Sequence, residues 1–218
     1  MKSLVFYVSL LFVFVACSES NSEDLEHQVV NLENPNNFYA LTVGNSWVYK
    51  NYKYNNFTQD YDETTVIDSV SIVGTELISG VKYFKFRRFT TGNDNNITFC
   101  NQNGEYFEYL RENDGNLVND AGKVKFSNSD FSQRLILDAD WGTIYENLIS
   151  GTSQLNVEAG TFTCINSERY AITENGDQLA GLDKFYYSDG FGLIYDTQSF
   201  VVSAYPYIIR RLDSYDIQ

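Results

Sequence analysis

Chemistry in this chain would have to rest on carboxylates, because the other usual groups are missing. The single histidine is His27, set in a polar, acidic stretch that cannot build a core, so no Ser-His-Asp or Cys-His arrangement is available. Zinc wants clustered His and Cys, which the sequence lacks. Neither a glycine-rich phosphate loop with its lysine nor a dinucleotide fingerprint occurs. Two suitably spaced acids suffice for glycoside hydrolysis. Among 29 Asp and Glu residues, Asp138 and Asp140 beside Trp141 are the least arbitrary pair, since an aromatic next to acids can stack a sugar. The competing reading is a turn followed by a buried tryptophan. Gly92-Asn93-Asp94-Asn95-Asn96 and Glu112-Asn113-Asp114-Gly115-Asn116 gather oxygens that calcium accepts, but neither keeps EF-hand spacing, and turns recruit the same residues. No catalytic residue, metal ligand or cofactor is therefore assigned. The chain is expected not to be an enzyme.

Binding is the other chemistry the composition offers. With 17 Tyr, 16 Phe and 2 Trp, aromatics make up 16% of the chain. A tyrosine buries a ring while its hydroxyl stays wet, which suits both sheet faces and saccharide platforms. Trp47, Tyr49, Trp141, Tyr186 and Tyr187 are the candidate binding aromatics. Tyr52 with Tyr54, Tyr106 with Tyr109, and Tyr205 with Tyr207 are further candidate patches, though cross-strand pairing is the commoner use of such residues.

Strands must position these side chains. Trp47 and Tyr49 alternate with Val48 after a Gly44-Asn45 turn. Thr64 to Thr75 is rich in Val, Ile, Ser and Thr, which fit a pleated sheet. Lys82 to Thr90 places Phe84, Phe86 and Arg88 on one face and Tyr83, Lys85, Arg87 and Phe89 on the other. Short runs follow at 97–100, 105–111, 123–126, 134–137, 143–148, 154–157, 161–173, 184–187, 193–196 and 200–212. Ser79-Gly80, Asn103-Gly104, Asp114-Gly115, Asn175-Gly176 and Asp189-Gly190 supply turns that need positive φ. No window holds a 3.6-residue apolar period outside the first 16 residues. The pattern predicts one all-β, antiparallel domain over residues 38–218, a curved sheet, half-barrel, barrel or sandwich.

The chain's start sets its address. Lys2 precedes an apolar run from Leu4 to Ala16 that is too short for a membrane span, which takes about 20 residues. It has the build of a secretory signal. Phe14-Val15-Ala16-Cys17 resembles the bacterial lipobox, with Phe14 in place of the usual Leu, and this implies lipidation of Cys17 and residues 1–16 as signal peptide. The alternative is an ordinary signal cut near Ala16 with Cys17 incidental. Residues 17–37 read as a flexible acidic tether. Its Ser18-Glu19-Ser20-Asn21-Ser22-Glu23-Asp24 resembles the surface-export signal of Bacteroidota lipoproteins, which leaves the periplasmic and surface faces of the outer membrane both open. Losing the signal removes Lys2 from 15 basic residues facing 29 acidic ones. Such an acidic chain is unsuited to nucleic acid.

Three further stretches carry a family resemblance. Gly44-Asn45-Ser46-Trp47-Val48-Tyr49, Ala159-Gly160-Thr161-Phe162-Thr163-Cys164 and Tyr186-Tyr187-Ser188-Asp189-Gly190-Phe191-Gly192-Leu193-Ile194 occur in that order. Together they resemble a broad set of uncharacterised Bacteroidota lipoproteins, whose domains are similar to the sheet-wrapped lipoprotein carriers of the periplasm. That implies a fold and leaves function open. Asp68-Ser69-Val70 also resembles the three-residue O-glycosylation motif of Bacteroidota. Cys100 and Cys164 are both read inside strands, as two separate buried thiols, with a disulfide as the alternative in an oxidising compartment. The function expected is a lipid-anchored, non-catalytic binding module of the outer membrane for a glycan or apolar ligand. A structural subunit with an envelope protein partner is the alternative, and a carboxylate-based hydrolase the third reading.

Overall fold

The computed structural model describes residues 37–218. The expected signal peptide, Cys17, His27 and all of the expected tether but Asn37 lie outside the described residues. Twelve strands follow: β1 (Ser46–Asn55), β2 (Asp60–Ile78), β3 (Val81–Thr91), β4 (Gly104–Asn113), β5 (Asn116–Asn119) and β6 (Val124–Ser127), then β7 (Arg134–Ala139), β8 (Gly142–Val157), β9 (Gly160–Thr173), β10 (Gln178–Ser188), β11 (Gly192–Gln198) and β12 (Ile208–Asp216). All pair antiparallel in one sheet of order β6-β5-β4-β3-β2-β1-β12-β11-β10-β9-β8-β7. The first strand therefore pairs with the last, and two meanders run outward from that central joint.

This order forces curvature. Laid flat, twelve strands would span about 53 Å at the usual inter-strand spacing. Yet β6 and β7 form opposite edges and are joined only by residues 128–133, a link that reaches at most about 25 Å. The sheet must curl until its edges approach, and the edges remain unpaired to each other. Contacts across the curl agree. Phe126 on β6 stacks on Tyr187 of β10 at 4.0 Å between ring centroids, and Tyr39, ahead of β1, packs edge-on against both. The Tyr39 hydroxyl donates to the Gly115 carbonyl at 2.6 Å.

Alternation along each strand separates the faces. In β2, Val66, Asp68 and Ile72 are buried while Thr65, Ile67, Ser69 and Val73 are exposed. One core cluster joins Trp47, Tyr49, Ile72, Phe162, Cys164, Ile194 and Leu212, and a second joins Tyr39, Leu110, Leu117, Phe126 and Leu148. The three motif stretches meet here. The Trp47 indole donates to the Phe191 carbonyl at 2.8 Å, the Phe162 and Phe191 rings lie 5.2 Å apart, and the Ser188 hydroxyl donates to the Thr163 carbonyl.

The antiparallel, all-β, curled sheet is as the sequence predicts, but three local readings change. Residues 97–100 are not a strand. The Asn93 side chain accepts from the Ile97 N–H and donates to the Asn101 carbonyl, which holds 93–101 as a looped turn with Asn96 and Phe99 at positive φ. Asn103-Gly104 closes that loop into β4, so β3 and β4 are joined by a long loop and not by a tight two-residue turn. The run 200–212 begins as a loop and becomes strand only at Ile208, since Pro206 has no N–H for a ladder. The runs 143–148 and 154–157 are one strand, β8, interrupted by a register shift between Ile149 and Ser153. Among the described residues, Cys100 and Cys164 are free thiols. Cys164 is buried in β9, whereas Cys100 is half-buried in the Asn93 loop, not in a strand. Burial pushes both thiols up to about 11.

Candidate functional site

The curl encloses a cavity of about 670 Å³. Its aromatic wall includes Trp47 and Tyr49 from β1, Phe86 from β3, Tyr106 from β4, and Phe185 and Tyr187 from β10. These rings are held in place. The Tyr49 hydroxyl reaches past β12 to donate to the Leu193 carbonyl at 2.9 Å, and the Trp47 ring stacks on Phe86 at 6.2 Å with 14° between planes. Burial raises the Tyr49 and Tyr187 hydroxyls well above the ordinary tyrosine value, so both stay neutral donors.

Charge is the unexpected feature. Five cationic side chains, Arg88, Lys123, Lys125, Arg169 and Arg210, line the cavity against two carboxylates, Glu108 and Asp196. The chain as a whole has a net charge of −14. Three of the arginines lie over aromatic rings: Arg210 over Tyr49 at 5.1 Å, Arg169 over Phe185 at 4.5 Å, and Arg88 over Tyr106 at 5.1 Å. Such stacking suits guanidinium, whose flat face is weakly hydrated.

Two of these arginines are neutralised from within the fold. Arg210 Nε donates to Asp196 Oδ1 at 2.7 Å, and its Nη1 lies 3.8 Å from Asp68 Oδ2. Asp68 also accepts from Thr90, Asn101 and Asn51. Burial pushes the Asp68 carboxyl up, but Arg210 and these three donors together outweigh it and hold the acid below its usual range. Asp196 is raised by its burial despite Arg210. Arg169 donates twice to Glu146 Oε2, at 3.0 and 2.7 Å, and Arg134 reaches the other Glu146 oxygen at 2.7 Å. Arg88 differs. Among the described residues it makes no salt bridge, and its Nε is buried with no hydrogen-bond partner.

The structure divides the candidate aromatics. Trp47, Tyr49 and Tyr187 line the cavity together. Tyr186 is turned to the opposite side of β10, edge-on to Tyr195 at 5.6 Å. Trp141 is 44% exposed at the β7–β8 hairpin with Asp138 and Asp140, away from the cavity wall. Asp138 there accepts from the Thr143 hydroxyl, as hairpin acids commonly do. Asn93 spends its side chain on its own loop, and Asp114 sits at the β4–β5 turn with φ 50°. Ser69 is exposed on β2, while its neighbour Asp68 is fully buried.

Sequence reading missed the arginines and their acids. A signal for them exists in strand parity. Arg210 alternates with Ile208 and Leu212, Asp68 with Val66 and Val70, and Asp196 with Ile194. A charge at a position of apolar parity is a buried charge, and buried charges need partners.

Among solved structures, the chain is similar to a protein described as exported, with a YmcC-like fold, from Bacteroides fragilis NCTC 9343. The TM-score is 0.51 at 11% identity, over 82% of this chain and 98% of that one. A protein described as a lipoprotein, from Parabacteroides distasonis ATCC 8503, aligns over the same shares with a TM-score of 0.45 at 15% identity. No protein-family model matches the chain, and no curated protein matches its sequence. The first likeness is one of fold: a curled antiparallel sheet of the YmcC-like kind.

Proposed function

We propose that this is a lipid-anchored outer-membrane protein that binds a saccharide, without transforming it, inside its curled sheet. The observation that carries the reading is the cavity, in which fixed aromatic faces alternate with hydrogen-bonding and charged groups. Sugar rings offer apolar C–H faces and a rim of hydroxyls, and this wall complements both. A purely apolar ligand would desolvate Arg88, to which the described residues offer no carboxylate, and that is costly. Binding without catalysis is supported by the commitments of the cavity's acids. Asp196 is tied to Arg210 and Glu108 to Lys125, so neither carboxylate is free to meet a substrate. Anchoring through Cys17 rests on the lipobox-like start, and the exported description of the Bacteroides fragilis protein agrees with an envelope address.

A structural subunit of an envelope complex is the second reading. It is favoured by the unpaired edges β6 and β7, beside which Phe131, Leu135 and Leu137 are exposed. Native mass spectrometry of protein released from its own membrane separates the two. A retained saccharide of unaltered mass, lost in Tyr187→Ala, is the expected result. A stoichiometric protein partner with no small ligand would replace the first reading by the second.

A further inference from the structure

We infer that the ligand of this cavity carries an anionic group, and that Arg88 is the seat that receives it. The inference rests on the saccharide reading and narrows it to an acidic saccharide, bearing a carboxylate or a sulfate or phosphate ester.

The ground is the contrast among the three stacked arginines. Arg210 and Arg169 have carboxylates supplied by the fold, at 2.7 Å in each case. Arg88 has the same aromatic platform, Tyr106, and the same access to the cavity, but no carboxylate. Its pairing partners on the neighbouring strands are Val70 and Tyr106, neither of which carries charge. A guanidinium that lines a cavity without a carboxylate is costly to keep. Its planar fork matches an oxyanion in a two-point contact. Lys123, the other cavity cation that no carboxylate of the described residues pairs, acts in the same direction. It draws an anion inward against the repulsion of the outer surface.

Position adds to this. Arg88 alternates along β3 with Phe86, which stacks with Trp47. Trp47 itself is only 3% exposed, so a sugar ring lying against Phe86, with Trp47 packed behind it, would present a substituent one strand step away from the Arg88 fork. Ring stacking and charge pairing would then read the same residue of the saccharide.

Trp47 supplies the test. The chain has two tryptophans, so Trp141→Phe leaves Trp47 as the sole reporter of the cavity. In the full chain with that background, Trp47 fluorescence is titrated with two matched pairs of ligands. One is an oligogalacturonate and its methyl ester; the other is a sulfated galacto-oligosaccharide and its desulfated form. The expected result is that one acidic member binds about tenfold or more tightly than its neutral match, the discrimination of one charge-assisted contact. Which pair discriminates tells carboxylate from sulfate ester. Arg88→Gln should abolish the preference and Arg88→Lys should restore part of it, with near-ultraviolet circular dichroism and melting confirming the fold of each. Equal binding of acidic and neutral members overturns the inference and leaves the saccharide reading standing. A preference that survives Arg88→Gln overturns Arg88 as the seat. No binding by any of the four overturns both readings.

Discussion

Two buried ionic clusters sit in the same sheet and do different work. At the central joint, one cation serves two acids: Arg210 on β12 holds Asp196 on β11 and Asp68 on β2, with Asn51 of β1 and Thr90 of β3 completing the shell. Near the β7 edge, one acid serves two cations: Glu146 on β8 holds Arg134 of β7 and Arg169 of β9. The first cluster gathers residues more than a hundred positions apart; the second joins consecutive strands. Their exposure differs too. Arg210 and its acids are 18%, 4% and 0% exposed as side chains, against 26% and 32% for the arginines around Glu146. Removing a cluster's hub therefore strands dry charges at the joint and charges that water can reach at the edge. Burial depth, more than the number of bridges, sets the cost.

The largest effect is expected at the joint. Arg210→Met leaves Asp68 and Asp196 without their cation and should cost about 3–5 kcal/mol in urea unfolding. Both unpaired acids would then titrate above their unfolded values. The variant should accordingly regain stability as pH falls from 7 toward 4, the reverse of ordinary acid denaturation. Adding Asp68→Asn and Asp196→Asn should recover part of the loss at neutral pH.

At the edge, Glu146→Gln should cost less, about 1–3 kcal/mol, because its arginines can rehydrate. An equal or greater loss than in Arg210→Met would end the distinction between the clusters.

A third group lies between them. Asp183 on β10 is raised to about 6 by burial, against weaker lowering from Ser199 and Arg169, and its Oδ1 has no hydrogen-bond partner. A carboxyl raised in the folded state binds its proton more tightly there, so stability is lost as pH climbs from about 4 to 6 and stays lost at 7. Asp183→Asn should raise stability at pH 7 by about 1–2 kcal/mol, allowing for partial exposure. The gain should vanish near pH 4. Paired melting curves at the two pH values decide it.

The smallest effect concerns the thiols. Cys100 lies by the joint, where the Asp68 charge adds to burial in raising it, and Cys164 is shut into the core. Neither should label quickly at neutral pH in the folded protein, since the thiolate is the reactive form. Denaturation without reductant should release both for labelling, as peptide mapping can verify. A protected pair would mean a disulfide.

How far the sequence discloses all this depends on what kind of signal each feature leaves. Strands announce themselves by alternation and by Gly turns such as Ser79-Gly80 and Asp189-Gly190, which are local. Residues 97–100 mislead locally as well: Ile97-Thr98-Phe99-Cys100 looks extended until the Asn93 side chain is known to fold back on it. Tyr187 and Tyr186 are identical as letters, and only the strand's parity tells the cavity wall from the opposite side of β10, where Tyr186 packs half-buried against the first core cluster. Trp141 reads as buried by composition, yet hairpin geometry places it outside. The central charge cluster leaves the least signal, because Asp68 lies more than a hundred positions from Asp196 and Arg210, which face each other across β11 and β12. Pairing β1 with β12 brings them together, and no spacing rule announces that pairing.

That pairing has a consequence in time as well as in space. Synthesis delivers the N-terminal half first, so β1 through β6 can zip as neighbours while β1 keeps one edge bare. The bare edge carries Trp47 and Tyr49, and its complement is the last strand of the chain. Until Ile208–Asp216 arrives, the nascent half-sheet is a template open to any extended segment nearby. Closure of this sheet therefore waits on β12, and a truncation lacking β12 would be expected to aggregate as a half-built sheet, not to survive as a smaller domain.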